Sequence, residues 1–185
     1  MTENIWQGEK VRLRGVEPED WQYHFDWDQD TGSARYSSYV WFPQSRVATR
    51  EWAEAEAKKR PTDDNVRMQI ETLAGEFAGT INSHNCDRRT GTFSYGLAIY
   101  PEQRRKGYAA EAITLLMRYF FDELRYQKCT IEVYSFNTGS AKLHESLGFT
   151  LEGRLRRMIY TDGKFHDALY YGMTVEEFNE RHKPS

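Results

Sequence analysis

The sequence predicts an α/β fold in one domain spanning residues 1–185, built on a mostly antiparallel sheet with helices laid against it. Three observations predict this. From Val66 to Tyr100 apolar and polar residues alternate with period two, interrupted by the turn-forming clusters Ala74-Gly75-Glu76 and Asp87 to Gly91, the pattern of three consecutive half-buried strands joined by short reversals. Ile113, Leu116, Met117, Phe120, Phe121 and Leu124 then follow the helical period, so one stripe of a helix beginning near Gly107 must cover a sheet face. Near the C-terminus, Leu155 to Tyr160 and Phe165 to Met173 flank Asp162-Gly163, a strong hairpin signal.

The other elements follow in order. Val11 to Val16 reads as a short strand. Pro18 suits a first helical turn, with Glu17, Glu19 and Asp20 at the positive end of the helix dipole, ahead of Trp21 and Phe25 and an end near Asp28. Ser45 or Thr49 can cap a second helix running through Glu51 to Arg60, where Pro61 stops it. Cys129, Ile131 and Val133 alternate in a strand, and Ser140 to Leu147 forms a short helix closed by Gly148. Thr174 and Glu177 form a capping box for a last helix. Gly96, inside the third strand, marks a bulge or a close backbone approach.

Composition narrows the function. The 185 residues suit one core, and aromatics at 15% offset a modest aliphatic content. A net charge of -3 supplies no positive field for nucleic acid. The absence of a basic-then-apolar leader or a long apolar run predicts a cytoplasmic chain without membrane contact. Cys86 and Cys129 stand alone, in no CxxC pair, so a disulfide framework and a cysteine zinc site are not expected and both thiols read as inert and buried.

The most informative segment is Arg104-Arg105-Lys106-Gly107-Tyr108-Ala109, placed between a strand and an amphipathic helix. Unpaired N–H groups at a helix start attract phosphate, and glycine permits close approach. The segment is neither a GxxxxGK[ST] loop nor part of a GxGxxG fingerprint, which removes the main support for ATP and dinucleotide binding. Its bland alternative is a solvated basic turn.

The run RRKGYA resembles the (Q/R)xxGx(G/A) acetyl-CoA loop of the GNAT superfamily of N-acetyltransferases. The wider YGLAIYPEQRRKGYAAEAI and NTGSAKLHESLGF resemble the branch of ribosomal-protein alanine N-acetyltransferases and related small-amine acetyltransferases. The resemblance implies the GNAT fold, a mixed and mostly antiparallel seven-stranded sheet flanked by about four or five helices. It implies direct attack of a primary amine, from a protein N-terminus or a small molecule, on acetyl-CoA without a metal, in a monomer or homodimer. The backbone of Leu97, Ala98 and Ile99 would lie along pantetheine, and the amides of Arg104, Arg105, Lys106, Gly107, Tyr108 and Ala109 around the pyrophosphate. A backbone N–H near Ala98 or Ile99 would face the developing oxyanion, and Gly96 would be the bulge that splays the strand. Asn137 matches a pantetheine or phosphate contact, with a helix-entry residue as its alternative.

Many members of the superfamily place a proton-donating Tyr seven residues after that Asn; here the position holds His144. Ser140 lies four residues earlier on the same helix face and competes for the role. Glu71 is a candidate general base if its strand face is open, and an exposed strand residue otherwise. Asp26, Asp28 and Asp30 are spaced like calcium ligands, but Thr31 stands where glycine is needed, so an acidic turn is expected; with Trp27, Tyr36 and Trp41 it could form a mouth for a cationic amine. Arg154, Arg156 and Arg157 read as a solvated strand face. The rival function is a noncatalytic acyl-CoA-binding regulator.

Overall fold

The computed structural model describes residues 4–37 and 39–182. Seven strands are β1 (Val11–Arg14), β2 (Arg67–Thr72), β3 (Phe77–Asp87), β4 (Thr92–Ile99), β5 (Lys128–Tyr134), β6 (Thr150–Thr161) and β7 (Lys164–Thr174), in the sheet order β1-β2-β3-β4-β5-β7-β6. Six α-helices accompany them among the described residues: α1 (Trp21–Gln29), α2 (Thr31–Ser37), α3 (Arg46–Lys58), α4 (Tyr108–Asp122), α5 (Thr138–Leu147) and α6 (Val175–His182). The helix beyond the expected four or five is α2. Its residues carry no apolar stripe, and it starts because the Asp30 carboxylate accepts the Ser33 N–H at 3.0 Å.

The chain groups into two compact units, one comprising residues up to Asn82 with Gly96–Leu116, the other Ser83–Tyr95 with Met117 onward. In the first unit β1 pairs antiparallel with β2, and β2 with β3. The alternation seen in the β2 sequence does not become alternating burial, because Gln69 to Thr72 are all buried. Both strand faces are covered, and the polar one is paired in part: the Gln69 amide nitrogen lies 2.8 Å from His24 Nε2 and Arg12 and Arg14 meet Glu71, while Gln69 Oε1 is buried without a hydrogen-bond partner among the described residues. α1 packs through Tyr23 stacked on Phe77 at 4.2 Å and through His24 edge-on to Trp52 at 4.6 Å. α3 starts earlier than its Ala- and Glu-rich stretch suggests, since Ser45 Oγ accepts the Ala48 N–H at 3.0 Å.

In the second unit β5 and β7 form a long antiparallel ladder, with β6 outside β7. Asp162 and Gly163 both have positive φ, 52° and 72°, the reversal a two-residue hairpin requires. β6 begins at Thr150 instead of Leu155 and slips register twice, between Leu151 and Gly153 and between Leu155 and Ile159; Arg157 in the second slip has φ 59°. The core centres on Phe93, stacked on Phe120 at 4.2 Å and edge-on to Phe121 and Tyr126. Cys129 is buried as expected, whereas Cys86 is only half-buried, its Sγ 3.7 Å from the His84 carbonyl. The capping box is present: Thr174 N–H donates to the Glu177 carboxylate at 2.8 Å and Glu177 N–H to Thr174 Oγ1 at 3.4 Å. Leu124, expected on the α4 stripe, lies past the helix end at Asp122. No helix among the described residues is long and apolar enough to cross a membrane.

Candidate active site

β4 runs into a single 3₁₀ turn, Pro101–Gln103, and then into the basic loop ahead of α4. Within that loop Arg105 has φ 63° and Gly107 φ 86°. Left-handed residues in a short loop turn successive N–H groups toward one side, which makes an anion-receptive concavity, and a non-glycine residue held there is strain characteristic of functional loops. Glu111 N–H donates to the Gly107 carbonyl at 3.2 Å as the first bond of α4; the amides just before it lie at the positive end of the helix. This chemistry fits a pyrophosphate, with backbone N–H groups as the donors. Two of the three basic side chains are less available than the sequence suggests. Arg104 Nε donates to the Ile99 carbonyl at 3.1 Å and Nη2 to Ser33 Oγ at 2.9 Å, with the guanidinium over Trp27. Lys106 Nζ donates to Gln103 Oε1 at 2.8 Å.

The parallel β4–β5 ladder consists of Thr92↔Lys128 and Phe93↔Cys129. Just past the end of β4 the Tyr100 N–H donates to the Ala78 carbonyl at 2.9 Å, and within β4 the Ala98 carbonyl oxygen occupies the space a Cβ on Gly79 would need. Ala98 therefore turns its peptide groups toward β3, and strand alternation sends those of Leu97 and Ile99 to the opposite edge. The three residues expected along pantetheine thus alternate, with the Ala98 carbonyl directed at β3 and the Ile99 carbonyl accepting from Arg104. Gly96 is a close approach: a Cβ there would lie 3.0 Å from Asn82 Oδ1.

In the second unit, Asn137 caps α5, its side-chain oxygen accepting the Ser140 N–H at 3.1 Å. Ser140 is half-buried and His144 is buried. His144 Nδ1 lies 2.8 Å from the Ser140 carbonyl and 3.3 Å from Ser140 Oγ; Nε2 lies 2.7 Å from Tyr95 Oη. A carbonyl only accepts, so Nδ1 carries the proton and Nε2 accepts from the Tyr95 hydroxyl. Burial lowers the His144 pKa against a smaller opposing effect of the Ser140 carbonyl. His144 is thus an imidazole with both nitrogens engaged inside the second unit, Nδ1 at the Ser140 carbonyl and Nε2 at the Tyr95 hydroxyl. The expected proximity of Ser140 and His144 is present.

Glu71 also departs from expectation. Arg14 Nε donates to its Oε1 at 2.8 Å, and Arg12 pairs with Oε2. Burial raises the Glu71 pKa, but hydrogen bonds from Arg14 and then Arg12 outweigh it and hold the carboxyl below its usual range. A carboxylate saturated by guanidinium groups is a poor base, so Glu71 is a structural ion-pair partner. Arg14 also grips buried Asp20 through two bonds of 2.8 Å. Among the described residues no cluster of His, Cys, Asp or Glu is arranged to hold a metal ion.

An acidic and aromatic face does form along α1. Tyr100 lies against Tyr23 and Trp27, at 6.0 and 6.4 Å between ring centres. Its pKa is raised by burial and further by Asp26, Glu102, Tyr23 and Asp30. Tyr23 and Tyr100 escaped the sequence reading; Trp41 instead pairs with Tyr39 at 5.9 Å. Tyr95 was also missed, although its alternation with Phe93 marks it as inward-facing.

A seven-stranded sheet with an anion-receptive turn between β4 and α4 has the architecture of an acyl-CoA-dependent transferase. The family profile described as "Acetyltransferase (GNAT) domain" matches residues 10–150. The SPbeta prophage-derived uncharacterized N-acetyltransferase YokL of Bacillus subtilis (strain 168) is 40% identical over 98% of this chain and 99% of its own. The spermidine N(1)-acetyltransferase of Escherichia coli (strain K12) is 27% identical over 94% of this chain and 90% of its own. A crystal structure of spermidine N-acetyltransferase from Vibrio cholerae in complex with CoA and spermine superposes with a TM-score of 0.80, at 19% identity over 92% of this chain and 99% of that one, and shows the shared fold. The chain belongs to the GNAT acetyltransferase family and is an acyltransferase of the N-acetyltransferase type.

Proposed function

We propose that the protein, acting as one GNAT domain, transfers the acetyl group of acetyl-CoA to a primary amine of a small, multiply charged cationic amine of the spermidine kind. The observation that carries the acceptor class is the cluster of Asp26, Asp30 and Glu102 around Tyr100, Tyr23 and Trp27. Carboxylates attract ammonium groups and aromatic faces receive them after partial desolvation. The near full-length likeness to a spermidine acetyltransferase supports the same class.

In this reading the amides of residues 104–109 bind the pyrophosphate, Leu97 and Ile99 pair with pantetheine, and the Ile99 N–H faces the thioester oxygen as it gains charge. Asn137 holds α5 in place. Ser140 donates its hydroxyl proton toward the sulfur as the carbon–sulfur bond breaks; the His144 Nδ1 proton is held by the Ser140 carbonyl, so the hydroxyl is not needed as its acceptor. The amine attacks directly, so positioning supplies most of the rate. An amine panel of spermidine, spermine, amino sugars and ribosomal-protein N-terminal peptides, incubated with acetyl-CoA and read by mass spectrometry, tests this. Acetylated polyamine is the expected product; exclusive acetylation of the peptides would overturn the acceptor assignment.

A further inference from the structure

We propose that Lys10, far from the basic loop in sequence, supplies a side-chain cation to a phosphate group of the bound acyl-CoA. The inference rests on the reading that residues 104–109 hold the pyrophosphate. A Cβ built on Gly107 would lie 2.8 Å from Lys10 Nζ, so the ammonium occupies the space that this glycine leaves open. Glycine here accommodates a positive φ of 86° and also admits a charge beside the anion-receptive amides.

The placement of Lys10 is anchored in its main chain. The Glu111 carboxylate, in the first turn of α4, accepts N–H groups from Glu9 at 2.9 Å, Lys10 at 2.8 Å and Val11 at 2.7 Å. The Lys10 carbonyl accepts the Leu73 N–H at 3.2 Å. Residues 9–11 are therefore tied to the helix that follows the loop. The same bonds answer an electrostatic difficulty, because a carboxylate in the first turn would repel a nearby phosphate. Three N–H dipoles directed at Glu111 offset much of its charge.

Of the loop's three cations, Arg104 is committed to Ile99 and Ser33 and Lys106 to Gln103, while Arg105 sits two residues before Gly107 at a left-handed turn. Lys10 brings its ammonium to Gly107 itself. An ammonium is a compact point charge with three donors, suited to phosphate oxygens at varied angles.

The test is calorimetric titration of wild type, Lys10→Gln and Lys10→Arg with CoA and with dephospho-CoA, which keeps the pyrophosphate but lacks the 3′-phosphate. Turnover of S-acetylpantetheine, which has neither group, is measured alongside. Lys10→Gln is expected to weaken CoA binding roughly tenfold, the scale of one charge-assisted hydrogen bond, while Lys10→Arg stays near wild type and acetylpantetheine turnover is unchanged. Equal weakening toward both ligands assigns the ammonium to the pyrophosphate; weakening toward CoA alone assigns it to the 3′-phosphate. Wild-type affinity of natively folded Lys10→Gln for both ligands would overturn the inference while leaving the loop assignment standing. Absence of CoA binding by wild type would instead overturn the loop assignment, and this inference with it.

Discussion

The Tyr95 hydroxyl donates to His144 Nε2 across 2.7 Å in the core of the second unit, with Phe149 and Tyr171 against the imidazole. Removing either partner strands a buried polar atom, at a cost of about 1–3 kcal/mol. Tyr95→Phe and His144→Phe are both expected to lower the unfolding free energy by that order, read from urea titrations followed by circular dichroism.

The leaving-group chemistry depends on Ser140. Ser140→Ala is expected to slow single-turnover acetyl transfer by roughly 10², the lower range for a positioned proton donor, with CoA affinity retained. His144→Phe should slow it less. A His144→Phe defect much larger than that of Ser140→Ala would return the donor role to the imidazole.

Gly107→Val should weaken acetyl-CoA binding at least tenfold with native circular dichroism preserved. A β-branched residue is poorly tolerated at φ 86° and would also displace Lys10 Nζ. Calorimetry checks it, and unchanged affinity would remove the loop from the cofactor site.

Glu71→Gln should leave kcat close to wild type and reduce stability by about 1–3 kcal/mol, since Arg12 and Arg14 lose a charged acceptor in a half-buried setting. A fall in kcat that rising pH reverses would instead identify Glu71 as the base.

His24 governs a pH window. Burial, reinforced by Arg67 and opposed by Asp20, lowers its pKa from 6.5 to about 4. The unfolded chain therefore binds the extra proton between those values, so stability is complete above pH 6.5 and declines toward pH 4. The loss reaches about 3 kcal/mol by the linkage of 1.36 kcal/mol per pKa unit. His24→Gln should flatten the decline in denaturant midpoints measured between pH 7 and pH 4.

Local chemistry made much of this legible in advance. The α4 stripe, the Asp162-Gly163 reversal and the Thr174–Glu177 box each carry their structural cause within a few residues. Partners distant in the chain were harder to read. Glu71 is an ion-pair partner because β1 sets Arg12 directly opposite it, and two arginines at period-two spacing on a neighbouring strand were the available signal. The burial of His144 against Tyr95 was not legible, because a helical period gives a face but not its depth or the hydroxyl waiting there. The direction of each β4 peptide group depends on β3 and is invisible to side-chain patterns.

The interrupted edge of β6 bears on how the chain behaves when crowded. An outermost strand of twelve residues would otherwise offer a continuous row of backbone donors and acceptors to any passing extended segment. The slip between Leu155 and Ile159 breaks that row, and Arg156 and Arg157 stand exposed beside the break, while Arg154 is ion-paired with Asp167. A second copy seeking to extend the sheet would meet a kinked template and electrostatic repulsion, so the strand is shielded from runaway fibre growth while the hairpin keeps its full length.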